Sequence, residues 1–338
     1  MSGVPRASET AMPDTAAKTD QIPVTVLTGY LGAGKTTLLN RILTEQHGRK
    51  YAVVINEFGE LGVDNDLVVD SDEEVFEMNN GCICCTVRGD LIRIVGGLMK
   101  RPGRFDGIII ETTGLANPAP VAQTFFVDET VRTRTRLDAI VTVVDAKNLP
   151  ARLADSHEAA DQIAFADVIV LNKTDLASAE ELAEVERRVR EINPFATIHR
   201  ATRGDVPVTA LLDQGAFDLE RVLAHTPDFL DDDAHEHNED VASMSFEVTR
   251  PIDPERFNAW IGALLAAEGQ NLLRTKGILA YPGEDRRFAF QAVHMMADGD
   301  FVGPWKEGAP RHSRIVFIGR NLNRPQLRRG FESCQVKE

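Results

Sequence analysis

The sequence predicts an α/β fold: a doubly wound, mostly parallel sheet, followed by a smaller α+β domain. Three observations predict it. Short apolar, β-branched runs alternate with stretches of helical periodicity. A glycine-rich turn joins the first such run to the first helical stretch. Past residue 212 the composition becomes acidic and aperiodic, and alternation then resumes in a new pattern.

The first run, IPVTVLTG (22–29), is apolar, β-branched and closed by glycine, so it reads as a buried strand. KTTLLNRILTEQ follows with helical spacing of Leu38, Leu39, Ile42 and Leu43. YAVVIN, FDGIIIETTG, LDAIVTVVDA and ADVIVLNKTD read as four further buried strands, with helical stretches such as AEELAEVERRVREI between several of them. Strands alternating with helices specify a parallel sheet. Residues 1–20 read as a polar tail, 21–212 as this first domain and 213–242 as an acidic linker around DDDAHEHNED. Residues 243–338 read as the α+β domain. There, ASMSFEV, LLRTKGILAYP, RRFAFQAVHMM and SRIVFIGR are strands, and RPQLRRGFESC is a closing helix. DPERFNAWIGALLAA is an amphipathic helix with Asp253 as N-cap and Pro254 at its first position.

The formal net charge of −15 argues against a nucleic-acid or anionic-membrane partner, since both need clustered Lys and Arg. No apolar run approaches the roughly 20 residues of a spanning helix. The first twenty residues lack the apolar core of a secretory signal, so the expected compartment is the cytoplasm. Thiols stay reduced there, and clustered cysteines then point to metal or redox chemistry.

GYLGAGKTT carries the G-x-x-x-x-G-K-T spacing between a strand and a helix. Gly29, Gly32, Ala33 and Gly34 let the backbone wrap phosphate oxygens, and the helix N-terminus adds partial positive charge. Lys35 neutralises the β- and γ-phosphates, Thr36 offers a hydroxyl to Mg²⁺, and Thr37 completes the loop. NKTD, with Asn172, Lys173 and Asp175, ends the fifth run, where ligands bind in open α/β sheets. A carboxylate at Asp175 accepts from guanine N1–H and the exocyclic amine, whereas adenine leaves it unpaired. That selects GTP over ATP. The alternative is Asp175 as the N-cap of the following helix. ETTG (111–114) ends the third run. Glu111 can face Mg²⁺ or its water, and Gly114 can offer its N–H to a γ-phosphate, making a switch segment. The alternative is an ordinary turn with an incidental acid. Glu57, Glu60 and Glu111 are the candidates for orienting a hydrolytic water.

GCICC places Cys82, Cys84 and Cys85 within four positions. Three thiolates from one turn can fill three corners of a zinc tetrahedron, and the helical pattern of TVRGDLIRIV after them would favour thiolate over thiol. Water, Glu60, a histidine or a thiolate from a second chain can supply the fourth ligand. Zn²⁺ or Cu(I) suits these sulfurs, with Co²⁺ a tetrahedral substitute. Inert core cysteines and a redox pair of Cys84 with Cys85 are the competing readings. His235 and His237 in the linker and His294 in QAVHMM are further possible ligands; a lone strand histidine is more often simply hydrogen-bonded.

GYLGAGKTT, INEFGE, GCICC, ETTG and NKTD, in that order, resemble the CobW-type metallochaperone GTPases, relatives of the GTPases that load nickel in urease and hydrogenase maturation. SFEVTRPIDPERF, LLRTKGIL, FQAVHMM and SRIVFIGR resemble that family's C-terminal domain. The resemblance implies a P-loop GTPase fold and slow GTP hydrolysis with Mg²⁺. It also implies zinc or cobalt held by Cys82, Cys84 and Cys85 and delivery to a client metalloprotein. A dimer sharing the metal would be nucleotide-dependent. Some members carry a long His-rich linker; here only His235 and His237 remain of it, so an acidic spacer is the favoured reading. A zinc sensor or buffer with structural nucleotide, and a P-loop kinase, are the rival functions.

Overall fold

A computed structural model describes residues 21–45, 48–56, 75–78, 86–100, 105–215 and 241–337. The first domain contains β1 (Ile22–Gly29), α1 (Lys35–Thr44), β2 (Tyr51–Asn56), β3 (Val75–Met78), α2 (Thr86–Leu98) and β4 (Gly107–Glu111). It continues through α3 (Ala119–Val127), α4 (Glu129–Arg134), β5 (Thr135–Asp145), α5 (Leu149–Asp155), α6 (His157–Phe165), β6 (Val168–Asn172), α7 (Ala179–Ile192) and β7 (Thr197–Arg200). The seven strands lie in the order β3-β2-β4-β1-β5-β6-β7, and every pairing is parallel.

The period of two along each strand divides the core into two layers. Ile108 and Ile110 face one layer and Ile109 the other. The first layer takes Leu91 and Val95 of α2, Phe125 of α3, Ile163 of α6 and Val185 and Val189 of α7. The second takes Leu38, Leu39 and Ile42 of α1, together with Val206, Val208 and Leu211 beyond β7. Both faces of the sheet are covered, which is why its strands read as continuous apolar runs rather than as alternation. The two edge strands that the sequence reading lacked, β3 and β7, are four residues each. Such short edges carry too few side chains to display a period.

The second domain is a five-stranded sheet in the order β11-β10-β9-β12-β8, antiparallel throughout. Its strands are β8 (Ala242–Val248), β9 (Leu272–Leu279), β10 (Arg286–Val293), β11 (Met296–Pro304) and β12 (Ser313–Gly319), with helices α8 (Pro254–Glu268) and α9 (Arg324–Ser333). Asp253 caps α8 as its sequence indicates, accepting from the backbone N–H of Glu255 at 3.0 Å and of Arg256 at 3.2 Å. The run RRFAFQAVHMM breaks where His294 takes a left-handed φ of 52°. Met296 then returns along β10 as β11. Phe257 and Ile261 of α8 and Leu327 and Phe331 of α9 cover one face of this sheet. The first domain's apolar layer continues into Val241, Leu273, Val293 and Ile318 of the second, so the two domains share core. Among the described residues no helix is long and apolar enough to cross a membrane.

Candidate functional site

The carboxyl ends of β1, β4, β5 and β6 converge at one edge of the parallel sheet, the place where open α/β sheets bind ligands. The loop from β1 to α1 depends on its glycines. Gly29 has φ 144°, and a Cβ there would lie 2.3 Å from the Val143 carbonyl oxygen. Gly34, the residue capping α1, has φ 109°, and its Cβ would meet Asn172 Nδ2 at 2.4 Å. A side chain at Gly29 would displace the Val143 backbone, and one at Gly34 would push aside the Asn172 amide. Lys35 is buried, and its ammonium donates back to the carbonyls of Gly29 at 2.9 Å and Tyr30 at 3.4 Å. Thr36 is half-buried and Thr37 exposed on the first turn of α1.

Asn172 ties this loop to two others. Its Nδ2 donates to the Ala33 carbonyl at 2.9 Å, and its Oδ1 accepts from the Gly204 N–H at 3.0 Å. Lys173 then turns into the left-handed region, at φ 59° and ψ 35°. Its ammonium pairs with Asp145 at the end of β5, 2.7 Å away. Burial alone would raise the Asp145 pKa, but the Lys173 ammonium and the Asn148 amides overcome that and hold the carboxyl below its ordinary range. Thr174 fastens the other side, its N–H and hydroxyl both reaching the Ala201 carbonyl, at 3.1 and 3.0 Å. Asp175 is exposed in the following 3₁₀ turn. It does not cap the next helix. Ser178 does, in a reciprocal capping box with Glu181, which leaves the Asp175 carboxylate at the mouth of the site.

Glu111 is the last residue of β4, 7% exposed, in register with Leu27 of β1 and Ile55 of β2. Beyond it Thr112 donates its hydroxyl to that of Thr28 at 2.8 Å and its N–H to the Leu27 carbonyl at 2.9 Å. Gly114 packs so closely on the phosphate loop that a Cβ would lie 2.7 Å from the Leu31 nitrogen. Gln162 of α6 donates to the carbonyls of Gly114 at 3.1 Å and Ala116 at 3.2 Å. The neighbouring Asp161 accepts from Asn117 at 3.4 Å and pairs with Arg320 of the second domain. The ETTG segment therefore touches the phosphate loop on one side, and the residues just beyond it reach the domain boundary.

Glu57, Glu60, Cys82, Cys84, Cys85, His235 and His237 lie outside the described residues. The helix read from TVRGDLIRIV is α2, which begins at Thr86, the residue after Cys85 in sequence. Among the described residues no group of three or more His, Cys, Asp or Glu side chains could hold a metal. His294 makes a hydrogen bond through Nδ1 with the Gly269 carbonyl at 3.1 Å and packs its ring against Phe165. Burial lowers its pKa, and its hydrogen bond and ring contact satisfy the side chain. Cys334 is buried, with its thiol pushed up to about 11 by desolvation.

Two contributors escaped the sequence reading: Asp145, and the loop that carries Ala201 and Gly204. Each sits at the carboxyl end of a parallel strand, and a glycine just past a strand end was the available signal for the second.

Residues 23–200 match the CobW/HypB/UreG nucleotide-binding domain, and residues 241–335 the cobalamin synthesis protein CobW C-terminal domain. The chain belongs to this family of P-loop GTPases. It is 38% identical to the zinc chaperone YjiA of Escherichia coli K12, across 92% of this chain and 98% of that protein. It is 35% identical to the zinc-regulated GTPase metalloprotein activator 1 of Schizosaccharomyces pombe, across 94% of this chain and 87% of that protein. The crystal structure of Zn(II)-bound YjiA GTPase from E. coli superposes with a TM-score of 0.71 at 32% identity, covering 94% of this chain and 99% of that one. A Zn(II)-bound triple mutant of YjiA, with one glutamate and two adjacent cysteines replaced by alanine, superposes with a TM-score of 0.75 at 34% identity, with the same coverage.

Proposed function

We propose that this protein is a GTP-hydrolysing metallochaperone. In this reading it binds zinc, or cobalt, through Cys82, Cys84 and Cys85 in a GTP-dependent way and passes the metal to a client metalloprotein. Gly29 to Thr37 cradle the phosphates, Asn172, Lys173 and Asp175 read guanine, and Gly114 senses the γ-phosphate. The open backbone of the phosphate loop and the Thr36 hydroxyl fit Mg²⁺ with a bound triphosphate, and the ion would neutralise phosphate charge there. Glu57, Glu60 and Glu111 remain the candidates for orienting water. The relatives named zinc chaperones and a zinc-regulated GTPase metalloprotein activator favour zinc as cargo and a metalloprotein as recipient.

The observation that carries the coupling is the flush register of β2, β4 and β1. Ile55 pairs with Glu111, and Glu111 pairs with Leu27. The chain leaves β2 at Asn56 beside the ETTG segment and returns on β3, whose end at Met78 pairs with Asn56, so the cysteine-bearing residues follow one strand further from β4. In this reading a γ-phosphate that orders ETTG acts on the cysteine-bearing segment through the intervening end of β2.

Swinging metal occupancy from nearly full to nearly empty takes ~10⁴-fold in affinity. A structural zinc site is worth ~10–16 kcal/mol, so the loss of one ligand can supply that change. By reciprocity, bound metal tightens GTP to the same degree. The test compares zinc affinity in GDP and in a non-hydrolysable GTP analogue. Equal affinities defeat the proposal. The Cys84→Ser/Cys85→Ser variant should lose the nucleotide-dependent zinc and keep nucleotide binding. Zinc in the YjiA variant lacking two cysteines shows that YjiA can hold zinc without those two thiols, so only the nucleotide-dependent component is diagnostic. Absence of sustained GTP turnover in the presence of zinc would favour a buffer instead.

A further inference from the structure

We propose that Asp145 is a positioning residue for guanine recognition: its carboxylate anchors the Lys173 ammonium so that the lysine presents its aliphatic stem, rather than its charge, to the base. The inference rests on the reading that residues 172–175 contact guanine.

The geometry points to Asp145 in three ways. First, β5 lies between β1 and β6, and Asp145 is in register with Asn172. The Lys173 side chain crosses the gap between two strand ends to reach it at 2.7 Å. Its four methylenes therefore span the edge of the sheet from the base-reading loop toward the phosphate loop. Second, Asp145 is itself fixed. One oxygen accepts from the N–H groups of Lys147 at 3.0 Å and Asn148 at 3.2 Å, and the other accepts from Asn148 Nδ2 at 2.8 Å as well as from Lys173. A carboxylate with that many donors is a rigid anchor and not a passing surface partner. Third, Lys173 holds a left-handed backbone that a residue with a Cβ rarely adopts. Such a conformation persists only where its surroundings impose it. The surroundings here are Asp145 on one side and the Thr174 contacts to Ala201 on the other.

The charge matters as much as the placement. Lys35 already directs an ammonium at the phosphate loop. A second, unpaired ammonium at Lys173 would be drawn to the phosphates and away from the base. Pairing with Asp145 neutralises it in place. Asp145 also lines a cavity of about 50 Å³ together with Tyr30 and Leu31 of the phosphate loop.

Titration calorimetry of the full chain with GDP, ADP and inorganic tripolyphosphate separates the possibilities. Wild type should favour GDP over ADP. Asp145→Asn should bind GDP about tenfold more weakly, the size of one lost charge-assisted hydrogen bond, with tripolyphosphate affinity unchanged or raised. Unchanged GDP affinity in Asp145→Asn overturns the proposal. So does an equal loss for GDP and tripolyphosphate, which marks a general structural role. Wild type with no GDP preference over ADP instead defeats the guanine reading on which the proposal rests. If Asp145→Asn fails to fold, Lys173→Met provides the second arm. It removes the other partner of the same hydrogen bond and leaves the stem unanchored, so GDP should again bind about tenfold more weakly, and unchanged GDP affinity there also overturns the proposal.

Discussion

Asp161 and Asp167 stand on one stretch of chain, in the middle of α6 and just before β6, and both tie the first domain to the second. They do so on opposite terms. Asp167 is buried against Arg274, 2.8 Å away, and Lys276, both from β9, and it also accepts the Ile140 N–H at 2.8 Å. Burial would raise its pKa, but the two cations overcome that and hold it below the ordinary carboxylate range. Asp161 pairs with Arg320 and accepts from Asn117. There burial dominates, and the Arg320 guanidinium and His294 do not offset it, so the pKa stays raised. Two neighbouring carboxylates with similar partners thus differ in kind. Asp167 is a permanent anchor between domains. Asp161 is an uneasy charge that sits beside the residues following ETTG.

The largest expected effect comes from breaking the anchor. Asp167→Ala leaves Arg274 and Lys276 as buried cations without their carboxylate, and such a loss costs about 3–5 kcal/mol. Urea denaturation of the full chain measures it; a cost below ~1 kcal/mol, the range of an exposed pair, would mean that the seam admits water and the contrast is false. Arg320→Ala should cost less, about 1 kcal/mol, because this pair is partly open to solvent. A larger loss than for Asp167→Ala would invert the comparison.

The smallest effect is the most discriminating, because its sign differs between the two sites. An asparagine at either site removes that site's titration. For Asp167 the folded pKa is lowered, so wild type should gain stability over Asp167→Asn as pH rises past about 3.9, the unfolded value, and lose it as pH falls through the folded one. For Asp161 the folded pKa is raised. The wild-type advantage over Asp161→Asn should be complete below about 3.9 and fade as pH climbs through the folded value. Denaturation midpoints of the three proteins across that range give the two slopes, and slopes of equal sign would erase the distinction.

The parts legible in the sequence are those whose physics is local. The phosphate loop was readable because a strand, five spaced residues and a helix are contiguous. The cap of α8 was readable because Asp253 and Pro254 adjoin. The Asp145–Lys173 pair and the Asn172 bridge to Ala33 and Gly204 were not, since they join strand ends far apart in sequence and only the parallel register brings them together. β11 was missed for another reason. It is the sheet edge, paired only with β10, and much of MADGDFVGP faces solvent, so no run of apolar side chains announces it. The thiol-bearing segment stands apart, because its motif is specific in combination with the phosphate loop yet it lies outside the described residues.

The continuous apolar layer that takes in Leu273, Val293 and Ile318 together with Leu171 and Ile163 bears on how this protein can be dissected. Excising residues 241–337 would not liberate a tidy catalytic half. It would leave a raw greasy wound along α6 and α7, so a truncated chain is expected to precipitate or to bury that surface against itself. Activity lost on truncation would then report spoiled solubility, and the second unit's own contribution has to be sought by point substitution in the intact chain.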